Sequence, residues 1–116
     1  MKSIVLITGA SGGIGKALAH QLHSQGLRVA VVGRDMDRLT NVEADLRIAA
    51  DTTTPEGAAQ AVAACQESLG AAPSLLAHCV GSTLIAPLHR TSAQSYREVM
   101  RINLDSAVYM LQAWVT

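Results

Sequence analysis

Residues 8 to 15, Thr8-Gly9-Ala10-Ser11-Gly12-Gly13-Ile14-Gly15, stand between an apolar run and a stretch of helical periodicity. Such a turn leaves backbone N–H groups free to approach phosphate oxygens at a helix amino terminus. Two phosphate loops are excluded by position. A triphosphate-binding loop of the Walker type needs glycine five residues before Gly15-Lys16, where Ala10 stands, and Ser or Thr after the lysine, where Ala17 stands. The spacing G-x-G-x-x-G fails because Ser11 follows Gly9 by two. What remains is T-G-x-x-x-G-x-G, carried by Thr8, Gly9, Gly13 and Gly15. Other reactive side chains offer less. His20 and His23 lie three apart, off the apolar face of their helix and without a further ligand, and are read as solvated rather than metal-binding. Cys65 and Cys79 form neither a metal spacing nor a disulfide framework and are read as reduced thiols in packing roles. His89 receives no role.

The elements that must position this loop alternate. Ser3 to Thr8 reads as a buried strand, and Ile14 to Gln25 as a helix with Ile14, Leu18 and Leu22 on its apolar face and Gly26 as its stop. Arg28 to Val32 is a second strand. Asp35 to about Leu46 has helical spacing through Met36, Leu39, Val42 and Leu46, and Arg47 to Ala50 is a third strand. Thr53 with Glu56 fits a capping box, Pro55 suits the first turn, and the helix runs to Gly70. Leu75 to Cys79 is a fourth strand, Gly81 to Arg90 a loop, and a long helix runs from Thr91 or Ser92 to the last residue. Strand and helix alternating four times, with short connections, predict a single α/β domain over residues 1–116 with a doubly wound parallel sheet in the order 3-2-1-4.

With the loop and the alternation in place, the chain resembles the short-chain dehydrogenase/reductase family of the classical type, over that family's amino-terminal half. "HCVG", His78 to Gly81, stands where the family has Asn-Asn-Ala-Gly after the fourth strand. "ADTTTPE" from Ala50 is similar to its Asp-containing turn after the third. "VMRINLDSAVYMLQA" resembles its fourth main helix, with Asn103 in the Asn position. The resemblance implies a Rossmann fold in which Gly9 makes a tight turn, Gly13 lets backbone approach a pyrophosphate and Gly15 lets helix and sheet pack closely. It also implies a nicotinamide dinucleotide bound by Gly9, Ser11, Gly13, Ile14, Gly15, Arg34, Asp51, Thr52, Cys79, Val80 and Gly81, with Asp51 at the adenine.

Which dinucleotide follows from the end of the second strand. NAD-preferring Rossmann proteins place an acid there for the ribose hydroxyls, and this chain has Gly33. Arg34 follows, a fixed cation whose fork fits a phosphate. NADP is therefore expected over NAD. Asp35, one residue further on, is the competing candidate for the ribose, and Gly12 lacks the second basic group that many NADP-preferring relatives carry. Arg34 pairing with Asp35 or Asp37 at the surface is the alternative.

In the family a hydride passes between the nicotinamide and a carbonyl or alcohol carbon, using a Ser and a Tyr-x-x-x-Lys pair with a supporting Asn. Here Met100 and Ala113 stand four residues after Tyr96 and Tyr109, and the lysines are Lys2 and Lys16. Of that catalytic set only Asn103 is present. The expectation is the NADP(H)-binding part of a carbonyl/alcohol oxidoreductase, inactive as these 116 residues alone. The rival expectations are a non-catalytic nucleotide-binding module and an inert remnant. His78 and Cys79 replace two amides, and are read as a satisfied buried histidine and a small packing residue rather than as catalytic groups.

Nine basic and nine acidic residues balance, and hydrophobic residues make up 49% of the chain. A global field that would draw nucleic acid is absent, and no apolar run reaches the length of a membrane span. A cytoplasmic protein is expected. The apolar stripe Leu104, Val108, Leu111, Val115 continues to the penultimate residue, and strand 4 would form an apolar edge. Both are read as signs of a longer parent domain truncated after the long helix. Homo-oligomerisation through the last helix is a further expectation from the resemblance.

Overall fold

The computed structural model describes residues 3–116. Four parallel strands, β1 (Ile4–Thr8), β2 (Arg28–Gly33), β3 (Leu46–Ala49) and β4 (Leu75–His78), form one sheet in the order β3-β2-β1-β4. Apart from Thr8 and Arg28 at their ends, the central pair is apolar, as suits strands covered on both faces. Successive side chains alternate between those faces. Leu6, Ala30 and Val32 pack with Ala58, Ala61, Cys65 and Met110 on one side. Val5, Ile7, Val29 and Val31 pack with Ala19, Leu39 and Val42 on the other. Helices α1 (Gly13–Ser24) and α2 (Met36–Leu39) cover the second face. Helix α3 (Pro55–Leu69) covers the first, together with a long carboxy-terminal helix.

That long helix is in three parts: α4 (Ala93–Met100), a π-helical turn (Arg101–Asp105) and α5 (Ser106–Val115). Asn103 Nδ2 donates to the Val99 carbonyl, and Ser106 Oγ donates to the Ile102 carbonyl. Side-chain donors placed in the main-chain ladder in this way accompany widened turns.

Three sequence expectations need correcting. The helix expected from Asp35 to Leu46 ends at Leu39. Asp35 is its cap, Val42 is buried from a turn, and Leu46 already belongs to β3. Thr40 and Asn41 are poor helix formers, and the apolar spacing is met by a turn followed by a strand. The α3 cap is Thr54, which accepts from Gly57 N–H, and not Thr53, whose hydroxyl turns to Asp51. Ile14 is 80% exposed, so the buried side of α1 begins beyond it, with Gly15 and Ala19. In α5 Ser106 and Met110 are the buried positions, while the apolar stripe of Leu104, Val108, Leu111 and Val115 along the long helix is exposed.

His20 and His23 face Glu43, and His23 also faces Asp45, which joins α1 to the turn before β3. Among the described residues no helix is long and apolar enough to cross a membrane.

Candidate functional site

The carboxyl ends of β1, β2, β3 and β4 surround a cleft of about 270 Å³, open to one side. It lies where the strand order reverses about β1, the place at which open α/β sheets bind ligands. Gly9, Ser11 and Gly12 form its floor. Gly9 has φ +65°, and a Cβ there would stand 2.5 Å from the Cys79 carbonyl oxygen, so the loops after β1 and β4 touch only because Gly9 is bare. A Cβ on Gly15 would overlap the Gly9 carbonyl, so what it allows close is the loop's own backbone. Beside Gly13 the space is open. The Gly12 cap offers no side chain to the amino end of α1, and no acid stands in the first turn. That end leaves N–H groups and partial positive charge for an anion.

After β2 the lining is Gly33, Arg34 and Arg38. Asp35 turns away to cap α2, accepting from Asp37 N–H at 3.0 Å. Among the described residues Arg34 makes no ion pair, so the pairing with Asp35 or Asp37 considered above does not form.

After β3 come Asp51, Thr52 and Thr53. Asp51 Oδ1 accepts both the Thr53 hydroxyl at 2.6 Å and the Thr53 N–H at 3.0 Å. The hydroxyl bond does most to hold the Asp51 carboxyl below its usual range. Partial burial works against it, and the Thr53 N–H and the charges of Arg34 and Arg101 add to it.

After β4 the cleft is walled by Cys79, Val80, Gly81 and Ser82. His78 lies behind this wall. Ser106 Oγ gives its hydrogen to Ile102, so it accepts from His78 Nε2–H at 3.0 Å. His78 Nδ1 is then bare and accepts the Thr8 hydroxyl at 2.7 Å, while Thr8 Oγ1 accepts the Cys79 N–H at 3.3 Å. Only the neutral Nε2–H tautomer satisfies every donor. Burial lowers the imidazole pKa below its ordinary value and raises that of the Cys79 thiol. His78 thus ties β1, β4 and α5 together and has no ring nitrogen left for a substrate. The Cys79 thiol is kept in its weakly nucleophilic form.

Asn103 stands behind Gly81. Its Oδ1 accepts Ser82 N–H, and its Nδ2 donates to the carbonyls of Ser82 and Val99. A Cβ on Gly81 would come 2.9 Å from Asn103 Oδ1. Asn103 therefore holds the loop after β4 against the π turn, and both ends of its amide are occupied.

Of the residues singled out in the sequence, Gly9, Ser11, Arg34, Asp51, Thr52, Cys79, Val80 and Gly81 line this one cleft. Gly13, Ile14 and Gly15 form the first turn of α1 beside it, and Asn103 acts on it through Gly81 and Ser82. Sequence reasoning missed Arg38, Thr53 and Ser82. The signal for Arg38 was its place four residues after Arg34. Thr53 was assigned to a cap.

The family model for short chain dehydrogenase matches residues 3–116, and the chain belongs to that family. It is 39% identical over 120 residues to 3-ketodihydrosphingosine reductase of Cryptococcus neoformans, covering 93% of this chain and 34% of that protein. An uncharacterized oxidoreductase of Staphylococcus aureus is 27% identical, with 95% of this chain and 50% of that protein covered. The chain thus spans about a third to a half of the length of these curated relatives. A short-chain oxidoreductase of metagenomic origin, solved in complex with NADP, superposes with a TM-score of 0.87 at 26% identity, over 97% of this chain and 55% of that one.

Proposed function

We propose that this chain is the NADP(H)-binding part of a short-chain oxidoreductase that transfers hydride between the nicotinamide and a small-molecule carbonyl or alcohol. The observation that carries the choice of NADP is the end of β2. Gly33 offers no carboxylate, Asp35 is spent on the α2 cap, and Arg34 and Arg38 line the cleft. Two guanidinium groups beside a bare glycine suit a ribose phosphate and leave a ribose hydroxyl without an acceptor. Bound NADP would set its pyrophosphate against Gly9, Ser11, Gly13, Ile14 and Gly15 and its adenine beside Asp51 and Thr52, with Cys79, Val80 and Gly81 along the ribose. The group itself supplies the hydride. The residues named here bind and orient it.

The 116 residues hold no Tyr-x-x-x-Lys pair. These 116 residues bind cofactor without turnover, and Asn103 serves by shaping the loop after β4. The exposed Leu104, Val108, Leu111 and Val115 of the long helix fit a role in homo-oligomerisation. The testing experiment is a calorimetric titration with 2′,5′-ADP and with 5′-ADP. The 2′-phosphate should tighten binding about tenfold or more, as a charge-assisted pair would. Arg34→Ala and Arg38→Ala should each remove part of that difference. Equal affinity for the two nucleotides would remove the case for NADP.

A further inference from the structure

A chain of polar contacts runs from the π turn into the cleft. Arg101 is gripped by Glu98 through two bonds, Nε to Oε2 at 3.2 Å and Nη2 to Oε1 at 2.6 Å. That fork fixes the guanidinium plane and aims Nη1 at Thr53 Oγ1, 2.6 Å away. A guanidinium can only donate, so the Thr53 oxygen accepts from it, and its single hydrogen goes to Asp51 Oδ1. Oδ1 also takes the Thr53 N–H and is fully used. Among the described residues Oδ2 has no hydrogen-bond partner, and Asp51 lines the cleft. Every hydrogen in the series has one possible direction, and the series ends on Asp51, a residue of the cleft lining with one carboxylate oxygen unpartnered among the described residues.

We propose that Arg101 and Thr53 are positioning residues for recognition of the nucleotide base, holding Asp51 so that Oδ2 accepts an exocyclic amino group. The proposal rests on the reading of the cleft as the NADP site with Asp51 at the adenine, and adds the two residues that hold that carboxylate in place. Adenine presents an amino group at C6. Hypoxanthine presents a carbonyl oxygen there, which a carboxylate repels. Arg101 is not among the residues that line the cleft and acts through Thr53. It lies 48 residues away from Thr53, on another element, so the selectivity of the β3 loop depends on how the π turn is formed.

The experiment compares NADPH with its hypoxanthine analogue by calorimetry on the 116-residue chain and its variants. The wild type should prefer NADPH roughly tenfold, the value of one charge-assisted hydrogen bond. Arg101→Met and Thr53→Val should lower that preference to about threefold or less by releasing the carboxylate, with affinity for the hypoxanthine analogue little changed. Thr53→Ser keeps the hydroxyl and should retain the wild-type preference. Variants that weaken both nucleotides equally would mean a merely structural role and overturn the proposal, as would variants that keep the full preference. A wild type that binds NADPH without preferring adenine overturns the positioning role and leaves the NADP reading standing. A wild type that binds neither nucleotide overturns the NADP reading, and this proposal with it.

Discussion

Replacing His78 with asparagine should flatten the acid side of the chain's stability profile. In the folded protein the imidazole is neutral, with Nδ1 accepting from Thr8 and Nε2–H donating to Ser106. A proton on Nδ1 would take away the acceptor of the Thr8 hydroxyl, leaving its hydrogen without a partner among the described residues, and burial already lowers the folded pKa. The unfolded chain, with an ordinary histidine, therefore takes up the proton first. Stability is complete above the unfolded pKa, near 6.5, and is lost as pH falls toward and through the lower folded value. One proton sets a ceiling of about 1.4 kcal/mol per pH unit on the slope. The ring is only half-buried, so water offsets part of this, and the expected slope is a fraction of that ceiling. At this chain length about 1 kcal/mol moves Tm by about 4 °C. Thermal melts of wild type and His78→Asn between pH 7.5 and 5 provide the assay, and their difference cancels every other group that titrates. Asp51 and Glu98, whose folded pKa values are also lowered, lose their contributions at more acid pH and do so equally in both proteins. Parallel profiles for the two proteins, or a wild type that gains stability on acidification relative to the variant, would refute the neutral-tautomer assignment.

Three further outcomes follow from the packing. Gly9→Ala should lower Tm and abolish nucleotide binding, since φ +65° alone costs about 1–2 kcal/mol and the new methyl meets the Cys79 carbonyl; Gly26→Ala, at φ +89° with open space, should show the conformational part only. Met110→Ala empties a fully buried position between α3 and the sheet and should cost about 2–5 kcal/mol in chemical denaturation. Thr54→Ala removes the hydroxyl that caps α3 and should cost about 1 kcal/mol in the same assay, and Thr54→Ser should restore most of it.

What the sequence disclosed, and what it hid, divides along the range of the interactions. The runs read as strands from Ser3 to Thr8 and from Arg28 to Val32 are β1 and β2 at the centre of the sheet, and the glycine spacing 9, 13, 15 marked the loop between β1 and α1. These are local signals. Periodicity misled where one spacing serves two structures. Met36, Leu39, Val42 and Leu46 satisfy a helix, yet only the first turn is helical. Ile14 keeps helical phase with Leu18 while facing outward beside the cleft. The π turn leaves no mark in the apolar pattern. It arises with side-chain donors, Asn103 and Ser106, whose carbonyl partners lie four residues back. The long-range contacts were beyond reach. Nothing near Arg101 indicates Thr53, and nothing near His78 indicates that Ser106 would complete its hydrogen bonding. Arg38 was within reach, four residues after Arg34 and inside the short helix that Asp35 caps.

NADP(H) is proposed to bind in the cleft between β1 and β4. The most direct test is calorimetric titration of the chain with NADPH and with NADH at the same low ionic strength, where arginine–phosphate pairing is least screened. One site per chain is expected, with NADPH bound about tenfold or more tightly than NADH. Equal affinities, tighter NADH, or no heat with either cofactor would contradict it.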